Sequence, residues 1–184
     1  MRNSFAQQFL VATPKISDGI FHNAVVLVCE HNDDGAFGLI INKPSNHTLG
    51  ELLVDLDLSA DNTSAEKPVY QGGPLGLERG FILHSGGKNW EHTIDLGKEV
   101  FLTTSQTILD DISRDLGPRQ TLVILGYASW ESGQLEAEIL ADDWMCLPLN
   151  RQLLFNTRSS ERRKRAETLL GIDMNLLTSN KPLQ

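Results

Sequence analysis

Ala24-Val25-Val26-Leu27-Val28-Cys29-Glu30-His31-Asn32-Asp33-Asp34-Gly35-Ala36-Phe37-Gly38-Leu39-Ile40-Ile41-Asn42 is the stretch on which the fold turns. Its first half, Ala24 to Glu30, is rich in β-branched residues and reads as a buried strand. Asn32-Asp33-Asp34-Gly35 breaks the run with residue types that tolerate turn backbone angles. Ala36 to Asn42 then resumes the apolar pattern, so the whole reads as a β-hairpin. Strict alternation along the first strand places Cys29 and His31 on one face and Glu30 on the other.

Outward from this hairpin, Phe9 to Thr13 suits a first strand ended by Pro14, and Lys43-Pro44 stops the second hairpin strand. Thr48-Leu49-Gly50-Glu51 has the form of a capping box and opens a helix through Leu56. Asp57 to Lys67 is polar and reads as a loop; Pro68–Gln71 and Phe81–His84 read as short strands. Ser105 is the expected N-cap of a helix running to Leu116, with Ile108, Leu109, Ile112 and Leu116 inward, ended by Gly117-Pro118. Thr121 to Tyr127 is a central strand, Gly133 to Leu140 a helix, and Trp144 to Leu147 a strand. Glu161 to Leu170 is the last helix, with Ala166, Leu169 and Leu170 as its buried stripe and Gly171 as its C-cap. Strands and helices are interspersed without a βαβ rhythm, which predicts a single α+β domain over residues 1–184 with a mixed sheet.

The chain has 184 residues, 40% hydrophobic and 22% charged, enough for one core without staples. Asp and Glu number 24 against 16 Lys and Arg, for a net charge of −8 that opposes nucleic-acid binding. The one basic run, Arg162-Arg163-Lys164-Arg165, reads as a solvated helix face before it reads as a contact for nucleic acid or a protein partner. The N-terminus lacks a signal-peptide core, and no run approaches the roughly 18 apolar residues of a membrane span. With only two cysteines, the chain reads as cytoplasmic.

The familiar catalytic motifs fail in turn. Gly87-Lys88 is followed by Asn89, so there is no P-loop. Gly72-Gly73-Pro74-Leu75-Gly76 misses the dinucleotide spacing, and Pro74 removes an amide donor. No Gly-x-Ser-x-Gly occurs, which leaves Ser129 as a turn or cap serine. Cys29, His31 and His84 lack metal-site spacing, so no metal and no cofactor is expected. The catalytic residues are unidentified.

Several phrases together resemble one bacterial family. They are Cys29-Glu30-His31-Asn32, Gly35-Ala36-Phe37-Gly38 and Asn42-Lys43-Pro44, followed by Gly72-Gly73-Pro74 and Phe81-Ile82-Leu83-His84. Gly126-Tyr127-Ala128-Ser129-Trp130, Gly133-Gln134-Leu135-Glu136 and Glu138-Ile139 complete the set. Their order and spacing resemble the AlgH/YqgE family, with a departure at Arg163, where that family often carries a tryptophan. The resemblance implies an α+β fold with a mixed, partly barrel-like sheet flanked by helices, and no settled activity. Its name implies regulation of alginate production, yet the chain shows no helix-turn-helix phrase.

The distinctive residues concentrate in the hairpin and in the Gly126–Glu138 segment. His31, Asn32, Asn42, Gly72, Gly73, Trp130, Gln134 and Glu138 are therefore the candidate lining of a polar-edged pocket. The first expectation is a non-enzymatic binding or regulatory protein acting through a protein or small-molecule partner, of unspecified oligomeric state. The alternative is a hydrolase-like enzyme using His31 with Glu30 or Glu138 as base, near the His31–Asn42 and Trp130–Glu138 segments.

Overall fold

A computed structural model describes residues 4–177. They gather into two compact units, the first drawn from Met1–Asn42 and Ala128–Gln184, the second from Lys43–Tyr127. The first unit opens with β1 (Gln8–Ala12), β2 (Val25–Asn32) and β3 (Gly35–Ile40). The second holds β4 (Pro44–Thr48), α1 (Leu49–Asp55), β5 (Pro68–Gln71), β6 (Leu75–His84), β7 (Thr93–Asp95), β8 (Phe101–Thr103) and α2 (Thr107–Ser113). Strand β9 (Thr121–Glu131) contributes residues to both, and the chain finishes in the first with α3 (Gln134–Leu140), β10 (Trp144–Pro148), α4 (Arg151–Phe155), α5 (Ser159–Leu170) and α6 (Met174–Leu177). The fold is α+β.

In the first unit the strand order is β10-β1-β2-β3 and then the end of β9, antiparallel throughout. Residues Phe9 to Ala12 and Ala24 to Val28 are all fully buried. Both faces of these strands are covered, which is why the sequence there is continuously apolar rather than alternating. One face gathers Leu10, Ala12, Val26, Val28, Ala36, Trp130, Leu135 and Trp144 into a core cluster. Helix α5 packs along β1, β2 and β10.

In the second unit β4, β5, the start of β9, β6, β8 and β7 lie side by side. The β5–β9 pair is parallel and the rest antiparallel, which makes the sheet mixed. Leu49, Leu53, Val69, Ile82, Ile108, Leu109, Ile112 and Val123 form its core. The capping box at Thr48 is present in full: Thr48 Oγ1 accepts from Glu51 N–H at 3.3 Å, and Glu51 Oε2 accepts from Thr48 N–H at 2.9 Å.

Four local expectations are corrected. Pro44 does not merely stop a strand but begins β4, whose edge position spares its missing N–H. Helix α2 has Gln106 rather than Ser105 at its N-cap and ends at Ser113, leaving Leu116 65% exposed. In β2 the register shifts between Val28 and Glu30, so Cys29 is an extra residue that resets the side-chain alternation. The buried side of α5 is Arg162 and Ala166, while Leu169 is exposed.

Arg162 inverts the reading of the basic run as a solvated face. Only 4% exposed, its guanidinium donates to the carbonyl oxygens of Ile41 and Thr157. Ile41 follows the end of β3 and Thr157 lies between α4 and α5, and a buried carbonyl left unpaired is costly. Among the described residues, no buried side-chain nitrogen or oxygen lacks a hydrogen-bond partner. No described helix is long and apolar enough to cross a membrane.

Candidate functional site

The hairpin and the strand–helix segment do meet. Strand β3 pairs with β9 from Gly35–Glu131 to Gly38–Ala128, and Ser132 Oγ donates to the carbonyl of Asp33 at 2.6 Å. Because the bulge at Cys29 resets β2, His31 lies opposite Ala36, which lies opposite Trp130. Residues opposite one another share a sheet face. His31 and Trp130 are thereby aimed at the face that α3 covers, where Leu135 is buried.

On that face Glu138 joins two other candidates, Trp130 and Gln134, while His31 bonds to residues outside the candidate set. Phe5 N–H donates to His31 Nδ1 at 2.9 Å, which leaves the proton on Nε2 to be donated to Glu136 Oε1 at 2.8 Å. The His31 side chain is 5% exposed and both its nitrogens are engaged. Trp130 and Trp144 both donate their indole N–H to Glu138 Oε2, at 2.9 and 2.8 Å. Gln134 donates to Glu138 Oε1 at 3.0 Å and accepts from Glu131 N–H at 3.0 Å. One carboxyl group thus fixes two indoles and an amide. The rings of Trp130, Trp144 and Phe21 pack tilted or edge-on around it.

Two of the other candidates serve turns. Asn32 Oδ1 accepts from Asp34 N–H at 2.8 Å, the closure expected for the hairpin turn. Asn42 accepts from Val25 N–H at 2.8 Å and donates to Asn23 O at 2.9 Å, which pins the β1–β2 loop. Gly72 and Gly73 belong to the second unit. Gly72 N–H donates to Leu125 O at 2.8 Å, and a Cβ on Gly126 would stand 2.9 Å from Gly73 O.

Cys29 is equally inert. Burial, with Glu30 alongside, pushes its thiol far above the ordinary range, so it holds no thiolate for nucleophilic or metal chemistry. Cys146 is shifted upward by burial as well. Among the described residues no three His, Cys, Asp or Glu side chains gather closely enough to hold a metal ion.

Several hollows among the described residues offer space, and two of them combine apolar walls with polar groups. In the second unit, one of about 390 Å³ has Leu52, Leu56, Leu109, Val123 and Leu125 as walls, with Gly80 among its lining and Glu78, Arg79, Thr104, Ser105 and Gln106 also bordering it. In the first unit, one of about 490 Å³ lies against α5 and the β1–β2 loop, with Ser17, His22, Arg163, Lys164 and Glu167 among its lining. Neither is lined by His31, Trp130, Gln134 or Glu138. Sequence reasoning missed both, because each is assembled from segments far apart in the chain. The i, i+3, i+4, i+7 spacing of residues 160, 163, 164 and 167 on α5 is the signal that could have placed them on one face.

The AlgH-like family model matches residues 9–175. The chain belongs to the AlgH-like family. A family relative, a UPF0301 protein of Thioalkalivibrio sulfidiphilus, is 39% identical over 178 residues, covering 97% of this chain and 96% of the relative. One from Idiomarina loihiensis is 41% identical over 174 residues, covering 94% of each. The solution structure of the AlgH protein from Pseudomonas aeruginosa shares 37% identity at a TM-score of 0.79, covering 100% of this chain and 98% of that one. A Corynebacterium diphtheriae protein, 17% identical with a TM-score of 0.69, covers 100% of this chain and 90% of its own, and shares the fold.

In the second unit of this family member, His84 is fully buried. Its Nδ1 faces Ser85 O at 2.8 Å and must donate, so in the neutral ring Nε2 accepts from the Thr103 hydroxyl at 2.6 Å. Phe101 stacks on the ring and Trp90 meets it edge-on. Desolvation lowers its pKa below the ordinary 6.5, against a smaller opposing effect of the Ser85 carbonyl. The unfolded chain therefore binds this proton more readily. The stability His84 contributes is complete above pH 6.5 and is lost as pH falls from there through the folded-state value. Urea unfolding at pH 7.5 and 5.5 is expected to show a larger acid loss in the wild type than in His84→Gln. Equal losses would mean the imidazole titrates alike in both states.

Proposed function

We propose that the chain is a binding protein rather than a catalyst, and that its second unit takes an apolar small molecule. The observation that carries this reading is the leucine-walled hollow of about 390 Å³, within the range of about 300–1,000 Å³ for small-ligand sites. Apolar walls with a few polar groups at the edge suit affinity by burial and orientation by hydrogen bonds. The groups that a catalyst would need are committed elsewhere: both nitrogens of His31 are occupied, and Glu138 is bonded to Trp130, Trp144 and Gln134.

Within this reading, the eight sequence candidates are positioning residues. His31, Trp130, Gln134 and Glu138 hold the first unit's sheet to α3, Asn32 closes the hairpin turn, and Asn42 pins its loop. Gly72 and Gly73 hold Leu125 and Gly126, at the strand wall of the hollow. The family match over residues 9–175 supports treating the chain as one functional domain. Two free cysteines suit a reducing compartment, and we place the protein in the cytoplasm. Ligand-dependent contact with a protein partner is then its regulatory output.

Gly80 provides the test. A Cβ there would meet only Leu125 Cδ2, at 3.9 Å, so a side chain can enter the hollow without backbone strain. Gly80→Ala is expected to gain about 0.4–1 kcal/mol by restricting the unfolded chain. Gly80→Leu should fill the hollow while keeping the fold. A thermal-shift panel of small apolar compounds should give hits in the wild type, since a ligand at about 100 times its Kd adds roughly 2.7 kcal/mol. Those hits should vanish in Gly80→Leu. Hits that persist, or a panel with none, would sink the assignment.

A further inference from the structure

We infer that the first unit carries a second, separate site, which recognises a phosphate monoester on a small polar molecule. The site is the hollow of about 490 Å³ beside α5. Ser160, Arg163, Lys164 and Glu167 all line it. Their spacing of three, one and three residues puts them on one helix face. Ser17 and His22 of the β1–β2 loop line it as well.

The charges around this hollow run against those of the whole molecule. The chain carries a net −8, yet this lining holds two cations and one carboxylate. The carboxylate is already neutralised: Glu167 Oε1 lies 3.4 Å from Arg163 Nε, with both side chains largely enclosed, at 15% and 18% exposure. Arg163 is held in place by donating from Nη1 to Ala12 O at 2.9 Å. Its Nη2 keeps donors to spare, because a guanidinium carries five N–H groups. Burial weakens the guanidinium's hold on its proton, the state in which a further anion is welcome.

Lys164 forms no ion pair among the described residues, and the Ser17 and Ser160 hydroxyls make no hydrogen bond among them. The positive charge left over is therefore that of Lys164, beside two exposed hydroxyls with no protein partner among the described residues. His22 is engaged, its Nδ1 with Ile16 O at 2.9 Å and its Nε2 with the Asn23 amide at 3.2 Å, and it shapes the wall. A lysine, an arginine edge and two hydroxyls supply donors on several sides, matching three phosphate oxygens better than the two of a carboxylate. The volume exceeds what a bare phosphate fills and leaves room for an organic group. The loop half of this wall is pinned by Asn42 through Asn23 O, which gives that side chain a role in the site without contact with the ligand.

The test is a titration of isotope-labelled full-length protein, followed by amide chemical shifts, with inorganic phosphate and with phenyl phosphate at matched ionic strength. Saturable shifts confined to residues near 17, 22, 160 and 164 are expected, with phenyl phosphate the tighter of the two. Lys164→Glu, exposed and unpaired, should leave the melting temperature unchanged and weaken phenyl phosphate at least tenfold. Lys164→Gln should weaken it less. Shifts that never saturate, that scatter over the surface, or that survive Lys164→Glu would overturn the site. Equal affinity for the two probes would overturn its organic half. The Gly80→Leu protein should bind phenyl phosphate like the wild type, so this result stands or falls apart from that of the apolar hollow.

Discussion

Gly35→Ala is expected to remove most of the protein's stability, by more than about 4 kcal/mol of the 5–15 typical of a domain. Gly35 closes the β2–β3 turn at φ +139°, and its Cα lies against the neighbouring strand β9. A Cβ built there would stand 2.1 Å from Trp130 O and 3.2 Å from Trp130 C, both backbone atoms. No rotamer change can relieve a contact with backbone, so the turn and β9 must separate. That separation breaks the β3–β9 ladder and uncovers Trp130, which is 5% exposed in the fold. Gly133→Ala is the comparison. It has φ +76° and nothing within 4 Å of the added carbon, so it should cost only the left-handed strain of about 1–2 kcal/mol. Urea denaturation of both variants reads the difference. Similar losses would show that backbone angle, and not the approach of β9, controls this turn.

Glu138→Ala should cost about 2–5 kcal/mol. The substitution strips the shared acceptor from two indole N–H groups whose rings are 3% and 5% exposed, and each buried unsatisfied donor costs about 1–3 kcal/mol. Glu138→Gln keeps one oxygen for the indoles but turns an NH₂ toward the Gln134 NH₂, so it should fall between the two. Tryptophan fluorescence gives a second reading, since both rings should become more mobile and wetter in Glu138→Ala. A loss below about 0.5 kcal/mol, the size of a surface substitution, would show that water replaces the carboxyl group freely.

These two residues also show what a sequence can announce. Asn32-Asp33-Asp34-Gly35 declares its turn because local backbone angles restrict which residues fit. Thr48 and Glu51 declare a helix start because their bonds close within three residues. The buried valines of β2 declare a strand through composition alone. Each such signal is local in the chain, and each element it marks is present.

The candidate site was legible only as a set of names. His31, Trp130, Gln134 and Glu138 stood out, but their partners Phe5, Glu136 and Trp144 lie up to 105 residues away. The bulge at Cys29, which decides the face His31 takes, depends on how β3 pairs with β2 and has no signature in the apolar run.

The sequence by itself determined the α+β class, the hairpin, the capped helix and membership of the family, because those rest on short-range steric and hydrophobic patterns. Tertiary structure alone decided that Arg162 is buried while its neighbours Lys164 and Arg165 are exposed. It decided too that Glu138 serves two indoles and that the two hollows exist. All of these depend on which distant carbonyl, ring or strand arrives beside a side chain. Charge and hydrogen-bonding groups are indifferent to sequence separation, so their roles become fixed only when the chain has closed on itself.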